Sequence, residues 1–516
     1  MFTRRSLASL VTFLAVGAGI IACERAEQPD SDAAPQRIVR GNGGAPGSLD
    51  PALAEDIHAF NILIDTFEGL LTEDARGRRV AGAAESWTTS NDGRVYSFRL
   101  RSGLRWSNGD ELTAADFVRG LRRVAAPATG SSYAFLLGDI ENFEDVVAGR
   151  APPDQLGITA ISPYELEIRL TRPTDNLLAV LTQAIAFPVH ASGDTSIGNG
   201  AYTLAERETD GTILLRKNRL FREAGQVKVD EIIYVPVTDP VSEYNAYRSG
   251  EIDITNTIPG QIFAGIREQH PDETHVSPML ALYYLAFDLS EEPFDDPMLR
   301  RALTMAIDRH KLTRLIGRGE QPACGIVPPG VDGHENAVYD WCTESRDSVR
   351  DAARAAYAEA GYTAESPLEI RYVYDAGDPL HERVALAVAA MWQDELGVRT
   401  NLEKREWMYF LETRTRRKDW DVMRFAWFGD YNGAHTFLDI FYAGSEQNLP
   451  AYRDATYDEL LRDSQTSTGA IERHLIENYP IAPLYFFVGK HLVKPHIKGF
   501  ESNVMDRHPS RYLSID

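Results

Sequence analysis

Cysteine is nearly absent from this chain: 516 residues hold three, at Cys23, Cys324 and Cys342. So few exclude a small fold stapled by disulfides, and nothing resembles the clustered Cys and His spacing of a metal site. Positive charge is also scarce, with 53 Lys and Arg against 76 Asp and Glu and a formal net charge of −23. That balance makes nucleic acid and acidic lipid surfaces poor partners. After the first 22 residues no stretch is long and apolar enough to span a bilayer. No nucleophile elbow, HExxH or P-loop occurs, and the GNGG run at Gly41 lacks the spacing of a dinucleotide loop. Among 76 acids a carboxylate pair of the glycosidase kind arises by chance, so pairing alone carries no weight. The reading is therefore of a protein that is not an enzyme and needs no cofactor or metal. Repeats are missing as well, and the only compositionally biased tract is 24–36.

What is present begins with a leader. Residues 1–22 carry Arg4 and Arg5, no acid, and an apolar stretch from Leu7 to Ala22, the layout of an export signal. It ends Ile20-Ile21-Ala22-Cys23, which resembles a lipoprotein cleavage box with Cys23 as the lipidated first residue; an ordinary cleaved signal with a chance cysteine is the plainer reading. The run Thr3-Arg4-Arg5-Ser6-Leu7 also resembles a twin-arginine signal. Residues 23–37 then read as a flexible, Pro-containing tether. Losing the leader removes two positive charges and moves the net charge from −23 to −25.

Two cysteines remain beyond Cys23. In an exported protein Cys324 and Cys342 are most simply a disulfide, closing a loop of about 19 residues worth roughly 3 kcal/mol on the chain-entropy account. Two unrelated thiols are the alternative.

The remaining chain, about 490 residues, is too long for one core. Strands are expected at 38–41, 160–170, 212–217, 231–235 and 368–374. Helices are expected at 60–71, from Thr113 onward, at 348–361 with Gly361 as the stop, and at 381–396. Mixed in this way, they indicate an α/β architecture.

Residues 286–330, AFDLSEEPFDDPMLRRALTMAIDRHKLTRLIGRGEQPACGIVPPG, carry the most information. An extended run ends at Ser290, and a helix opens at Asp296 with Pro297 at its first position, where a missing N–H costs nothing. Leu299, Ala302, Leu303, Ala306 and Ile307 give it one buried face, Gly317 and Gly319 stop it, and a PPG turn follows. This order resembles the signature of the extracytoplasmic solute-binding proteins of family 5, the oligopeptide and dipeptide receptors of ABC importers. SLDPALAED, FEGLLTEDARGRRVAGAAESW, YSFRLRSGLRWSNGDELTAADFV, NGAYTL, YRSGEIDI and APLYFFVGKHLVKP match further blocks of that family in order. The resemblance implies a two-lobed periplasmic-binding-protein fold of type II, in its large three-domain variety, with a hinge between the lobes. On this numbering, lobe I is 38–67, 190–280 and 487–516, the inserted small domain 68–189, and lobe II 281–486. It further implies a monomeric periplasmic or cell-envelope receptor that binds peptides and delivers them to permease and ATPase subunits. Related cargoes are dipeptides, murein peptides or a metal chelate, and a sensor role is a further alternative.

A peptide presents an ammonium, a carboxylate and a backbone, so a receptor indifferent to side chains must hold those three. By resemblance, Asp430 in WDVMRFAWFGDYNGAHTF pairs with the ammonium, preceded by Trp427; its plain reading as a bare residue is a turn or N-cap aspartate. Arg424, His381 in YDAGDPLHER and Arg414 in FLETR are the implied carboxylate and lining groups. Their plain readings are, for Arg424, a salt bridge within lobe II and, for His381, a solvent-facing helix start. Glu55, Tyr133, Trp407 and Tyr284 align with cleft residues, although single aromatics are commonly core. Departures exist. Family members can carry a cysteine pair at the positions of Ala281 and Phe428, and the regions after Val189 and Ser467 are each about ten residues short of the family pattern.

Overall fold

The computed structural model describes residues 35–174, 176–363, 365–413, 419–445, 447–463 and 465–516; the leader, Cys23 and Arg414 lie outside the described residues. No helix among the described residues is long and apolar enough to cross a membrane. Three main sheets organise the body 36–516. In the first, Arg37–Gly41 pairs in parallel with Glu231–Val235, followed by the antiparallel strands Ile213–Lys217 and Tyr202–Arg207. Ile38, Tyr202, Ile213, Leu215 and Ile232 form its buried side.

The second sheet is antiparallel, in the order Ala84–Thr89, Val95–Leu100, Glu165–Arg169 and Ile158–Ser162. Helix Ala114–Ala125 lies against it, and its entry is fixed by the Asp116 carboxylate, which accepts the Thr113 N–H at 2.8 Å. The expected single strand at 160–170 is a hairpin instead. Pro163 has no N–H for a ladder, so the chain turns at Pro163-Tyr164 and the two halves pair with each other.

The third sheet runs Gln321–Pro322, Ile481–Leu492, Thr274–Phe287, Val422–Phe428, Glu369–Asp375 and Arg399–Arg405. Its two long strands are antiparallel neighbours, whereas Glu369–Asp375 is parallel to the strands on both sides. Ala281 and Phe428 are direct cross-strand partners, so the two positions where relatives can carry cysteines meet here as an apolar pair. Helix Arg346–Glu359 starts at Ser345, whose hydroxyl accepts the Ser348 N–H, and Pro379–Leu396 starts at Asp378, which accepts Leu380 N–H at 2.8 Å.

Two expected helices have different bounds. The helix expected at 60–71 spans Ile57–Thr66: Asp56 caps its start, Phe67 is extended, and Asn199 takes up both polar groups of the Glu68 backbone. The long helix expected from Asp296 to Gly317 is two helices, Pro297–Ala306 and Arg309–Ile316. Ile307 is extended and Asp308 caps the second helix by accepting the Lys311 N–H at 2.8 Å. The break lets the buried Arg309 guanidinium donate to the carbonyls of Thr304 and Ile307, both at 3.1 Å, and of Pro483 at 2.8 Å. Periodicity continues across such a break, so only the tertiary partner of Arg309 reveals it. Leu299, Ala302, Leu303, Ala306 and Ile307 are all buried as the spacing predicts, each leucine contributing about 1.5–3 kcal/mol.

Cys324 and Cys342 are joined as a disulfide with Cα atoms 6.2 Å apart. The two long strands run on from the third sheet toward the first: Thr255 exchanges hydrogen bonds with Leu492, and Lys494 N–H donates to Asp253. Their ladder is interrupted between Pro278 and Leu282. At that interruption Leu280 N–H donates instead to Val504 at 2.7 Å, and Leu280 accepts from Gly429 N–H at 2.7 Å. The C-terminal segment returns to the first sheet, where Ser510 N–H reaches the buried Asp65 carboxylate at 2.7 Å.

Candidate functional site

Two of the sequence-selected charges are set by the strand Val422–Phe428, Arg424 within it and Asp430 just past its end. Asp430 follows it by way of Gly429, where a Cβ would lie 2.4 Å from a Leu280 methyl, so only glycine lets the chain pass. The Asp430 backbone N–H donates to the Thr436 hydroxyl at 3.1 Å, and that hydroxyl faces the Asp430 carboxylate at 3.5 Å. Among the described residues no cation comes within ion-pair distance of this carboxylate. Burial pushes its pKa up to about 6, with Thr436 and the more distant Arg507 only partly offsetting that.

Asp430 opens onto a cavity of about 320 Å³ lined by segments far apart in sequence, including Glu55, Tyr133, Gln183, Phe428 and Arg507. Glu55 accepts a hydrogen bond from the Ser132 hydroxyl. Tyr133 packs edge-on against Phe60, and burial, then the negative charges of Asp430 and Glu55, raise its pKa. Arg507 donates to Gln183 at 2.8 Å and sits 6.0 Å above the Phe60 ring. An adjoining recess of about 610 Å³ shares Asp430 and adds Trp427, Phe135 and His435. Among the described residues the buried Trp427 indole N–H has no hydrogen-bond partner. An aromatic-walled space holding one buried, unneutralised carboxylate suits a cationic group on an otherwise varied ligand.

Within the strand Arg424 is buried and forms an ion pair with Asp375, which is 2% exposed. Its guanidinium lies between the rings of Tyr283 at 5.6 Å and Phe410 at 5.5 Å. It also donates to His381 Nε2 at 2.8 Å. Arginine only donates, so Nε2 accepts and the imidazole proton is on Nδ1, facing the Tyr283 hydroxyl at 3.3 Å. Burial, then the Arg424 charge, pulls the His381 pKa down to about 4, leaving the ring neutral near pH 7. Trp407 is half exposed and stacks on Phe410, which places it one ring away from this cluster.

The structure thus brings Asp430, Glu55 and Tyr133 together at one cavity, Trp427 beside them, and Arg424, His381 and Trp407 in a second group. Tyr284 belongs to neither. Its neighbour Tyr283 faces Arg424, so Tyr284 points to the opposite side of the sheet, where it is 1% exposed and packs against Phe425. Asp375 and Arg507 are the site residues that sequence reasoning passed over. Asp375 lies within YDAGDPLHER beside the chosen His381, so a signal was present; Arg507 sits in the C-terminal segment with no local motif.

The profile of the bacterial extracellular solute-binding proteins, family 5 (middle), matches residues 79–448, and the chain belongs to this family. It is 34% identical over 489 residues to the periplasmic oligopeptide-binding protein OppA of Salmonella typhimurium, covering 90% of each chain. It is 31% identical over 490 residues to the periplasmic murein peptide-binding protein MppA of Escherichia coli, covering 91% of each. Among solved structures, the unliganded open form of MppA superposes with a TM-score of 0.87 at 31% identity, covering 94% of this chain and 98% of that one. Haemophilus influenzae OppA in complex with RPPGFSPFR gives 0.72 at 30% identity, covering 94% and 99%.

Proposed function

We propose that this chain is the extracytoplasmic receptor of an ABC importer, holding extended oligopeptides between two lobes and handing them to a membrane permease without chemical change. The observation that carries the reading is Asp430, a buried carboxylate with no cation within ion-pair distance among the described residues, facing a cavity walled in part by aromatic side chains. A peptide's α-ammonium supplies the missing charge. Arg424, six residues back along the chain in the strand Val422–Phe428, and His381, in the first turn of the helix Pro379–Leu396, receive the other terminus. The six residue steps from Arg424 to Asp430 span at most ~20 Å, which suits peptides of a few residues lying along the strand. The lobes divide as 38–67, 190–280 and 487–516 against 281–486, with 68–189 as the inserted domain. They hinge where the long strands cross, at the interrupted pairing between Pro278 and Leu282.

Calorimetric titration tests this on protein unfolded and refolded to strip carried-over ligand, against di-, tri-, tetra- and pentapeptides and a murein tripeptide. Sub-micromolar binding with weak side-chain dependence is expected; silence toward all of them, or preference for the murein peptide alone, overturns the oligopeptide reading. We further propose that export exposes Cys23 as a lipidated N-terminus, tethering the receptor by residues 23–37. Cys23→Ala should then release the protein from membranes, and unchanged membrane retention would count against the anchor.

A further inference from the structure

On the C-terminal segment that also carries Arg507, but outside the cavity lining, three potential ligand atoms converge. His491, at the end of Ile481–Leu492, and Asp506 and His508, from the C-terminal segment, place their side-chain N and O atoms within 4.8 Å of one another. His491 Nε2 is 2.9 Å from Asp506 Oδ1, and His508 Nε2 is 3.5 Å from the same oxygen. The opposite nitrogen of each ring is tied to a main-chain carbonyl: His491 Nδ1 to Thr255 at 2.9 Å and His508 Nδ1 to Glu501 at 3.1 Å. A carbonyl only accepts, so both Nδ1 atoms carry protons. In the neutral rings both Nε2 lone pairs then point inward at a carboxylate.

Lone pairs facing a carboxylate require a positive charge between them. A single proton on His491 serves the 2.9 Å contact but leaves His508 with an acceptor facing an acceptor. A metal ion serves all three at once. Rings whose outer N–H groups are held by carbonyls are also the usual orientation of metal-bound histidines. The fold admits the carboxylate specifically: a Cβ at Gly489 would lie 2.0 Å from Asp506 Oδ1, and Asp506 itself has φ 54°. Phe500 covers the imidazoles, stacked on His508 at 4.1 Å and edge-on to His491 at 5.5 Å. Of the cations close by, Arg40 donates to the His508 carbonyl and the Ser510 hydroxyl, and Lys490 pairs with Glu320 and donates to the Arg318 carbonyl.

We propose that His491, Asp506 and His508 bind a divalent transition-metal ion of the zinc kind, with two imidazoles, one carboxylate and a fourth position open to water. Two nitrogens and one oxygen in a compact group suit zinc and disfavour calcium or magnesium, which require more oxygen ligands. Bound there, the ion clamps the C-terminal segment to the strand Ile481–Leu492 where that strand reaches the first sheet. This assignment is independent of the cargo.

The test is titration of chelator-stripped protein with zinc chloride alone, with elemental analysis after desalting and the visible spectrum of the cobalt-loaded form. One equivalent bound at sub-micromolar Kd, a tetrahedral cobalt spectrum and a raised Tm are expected. His508→Ala and His491→Ala should each weaken zinc by at least about 100-fold, the upper end of what losing an outer-shell partner costs. Absence of zinc binding by the parent protein, which needs no variant to fold, overturns the proposal. So does one equivalent retained at unchanged affinity in both substituted proteins, since the ion then sits elsewhere.

Discussion

Asp430→Asn should lower affinity for peptides with a free α-ammonium by ~2–5 kcal/mol, about 30-fold to several thousand-fold, while leaving N-acetylated peptides nearly unaffected. Asparagine keeps the volume and a partner for Thr436, so the change removes charge and little else. The affinity should also depend on pH in the parent protein. With a pKa raised to about 6 in the unliganded state, the carboxylate is ionised above that value and progressively protonated below it. Binding should therefore weaken about tenfold per pH unit on descending below pH ~6. The same shift has a stability consequence of opposite sign from the usual aspartate. A folded pKa above the unfolded value of ~3.9 means the protonated form is favoured by folding, so the contribution is fully present below that value and is lost as pH rises through about 6. Unliganded Asp430→Asn should accordingly be more stable than the parent at pH 8, by up to ~3 kcal/mol, and equal to it near pH 4. A flat affinity profile from pH 5 to 8, together with equal stability at pH 8, would remove Asp430 from the ammonium role.

Asp375→Ala should destabilise the protein by ~3–5 kcal/mol, because it strands the Arg424 guanidinium among Tyr283, Phe410 and His381 with no anion beside it. The two ring contacts return only ~0.5–2 kcal/mol each and are already present in the parent, so they do not compensate. His381 is neutral and accepts from Arg424, so it cannot supply the charge. The measurement is the denaturation midpoint with and without a tight-binding peptide. If Arg424 also receives a peptide carboxylate, C-terminally amidated peptides should bind the parent more weakly than free acids, and the peptide should restore part of the stability lost in Asp375→Ala. Destabilisation below about 1 kcal/mol would mean that the pair is effectively solvated and that Arg424 needs no counterion.

Much of this was legible in the chain because it rests on local chemistry. Asp296 before Pro297, Thr113 with Asp116, and Gly361 after an alanine-rich run mark helix ends through groups only a few residues apart. The cysteine pair needed only a count and an oxidising compartment. Asp430 and His381 could be singled out because each lies in a block whose order matches a family. Other features depended on partners that no local pattern announces. The run from Asp296 to Gly317 has unbroken helical periodicity, yet Arg309 takes carbonyls from a helix that must end for it to do so. Tyr283 and Tyr284 are adjacent and alike, and strand alternation alone sends one toward Arg424 and the other into the core; which is which follows from register with Val422–Phe428.

The sequence by itself determined the α/β class, the family, most element boundaries and the cysteine pair, since all of these follow from spacing, capping and composition along short stretches. Tertiary structure alone decided what each charge does. Glu55, Tyr133, Asp430 and Arg507 become neighbours only when segments up to 452 residues apart pack together, and burial by those segments is what raises the Asp430 pKa, its carboxylate having no cation within ion-pair distance among the described residues. Charge state and pairing belong to the surroundings of a side chain, and in this fold those surroundings come from distant parts of the chain.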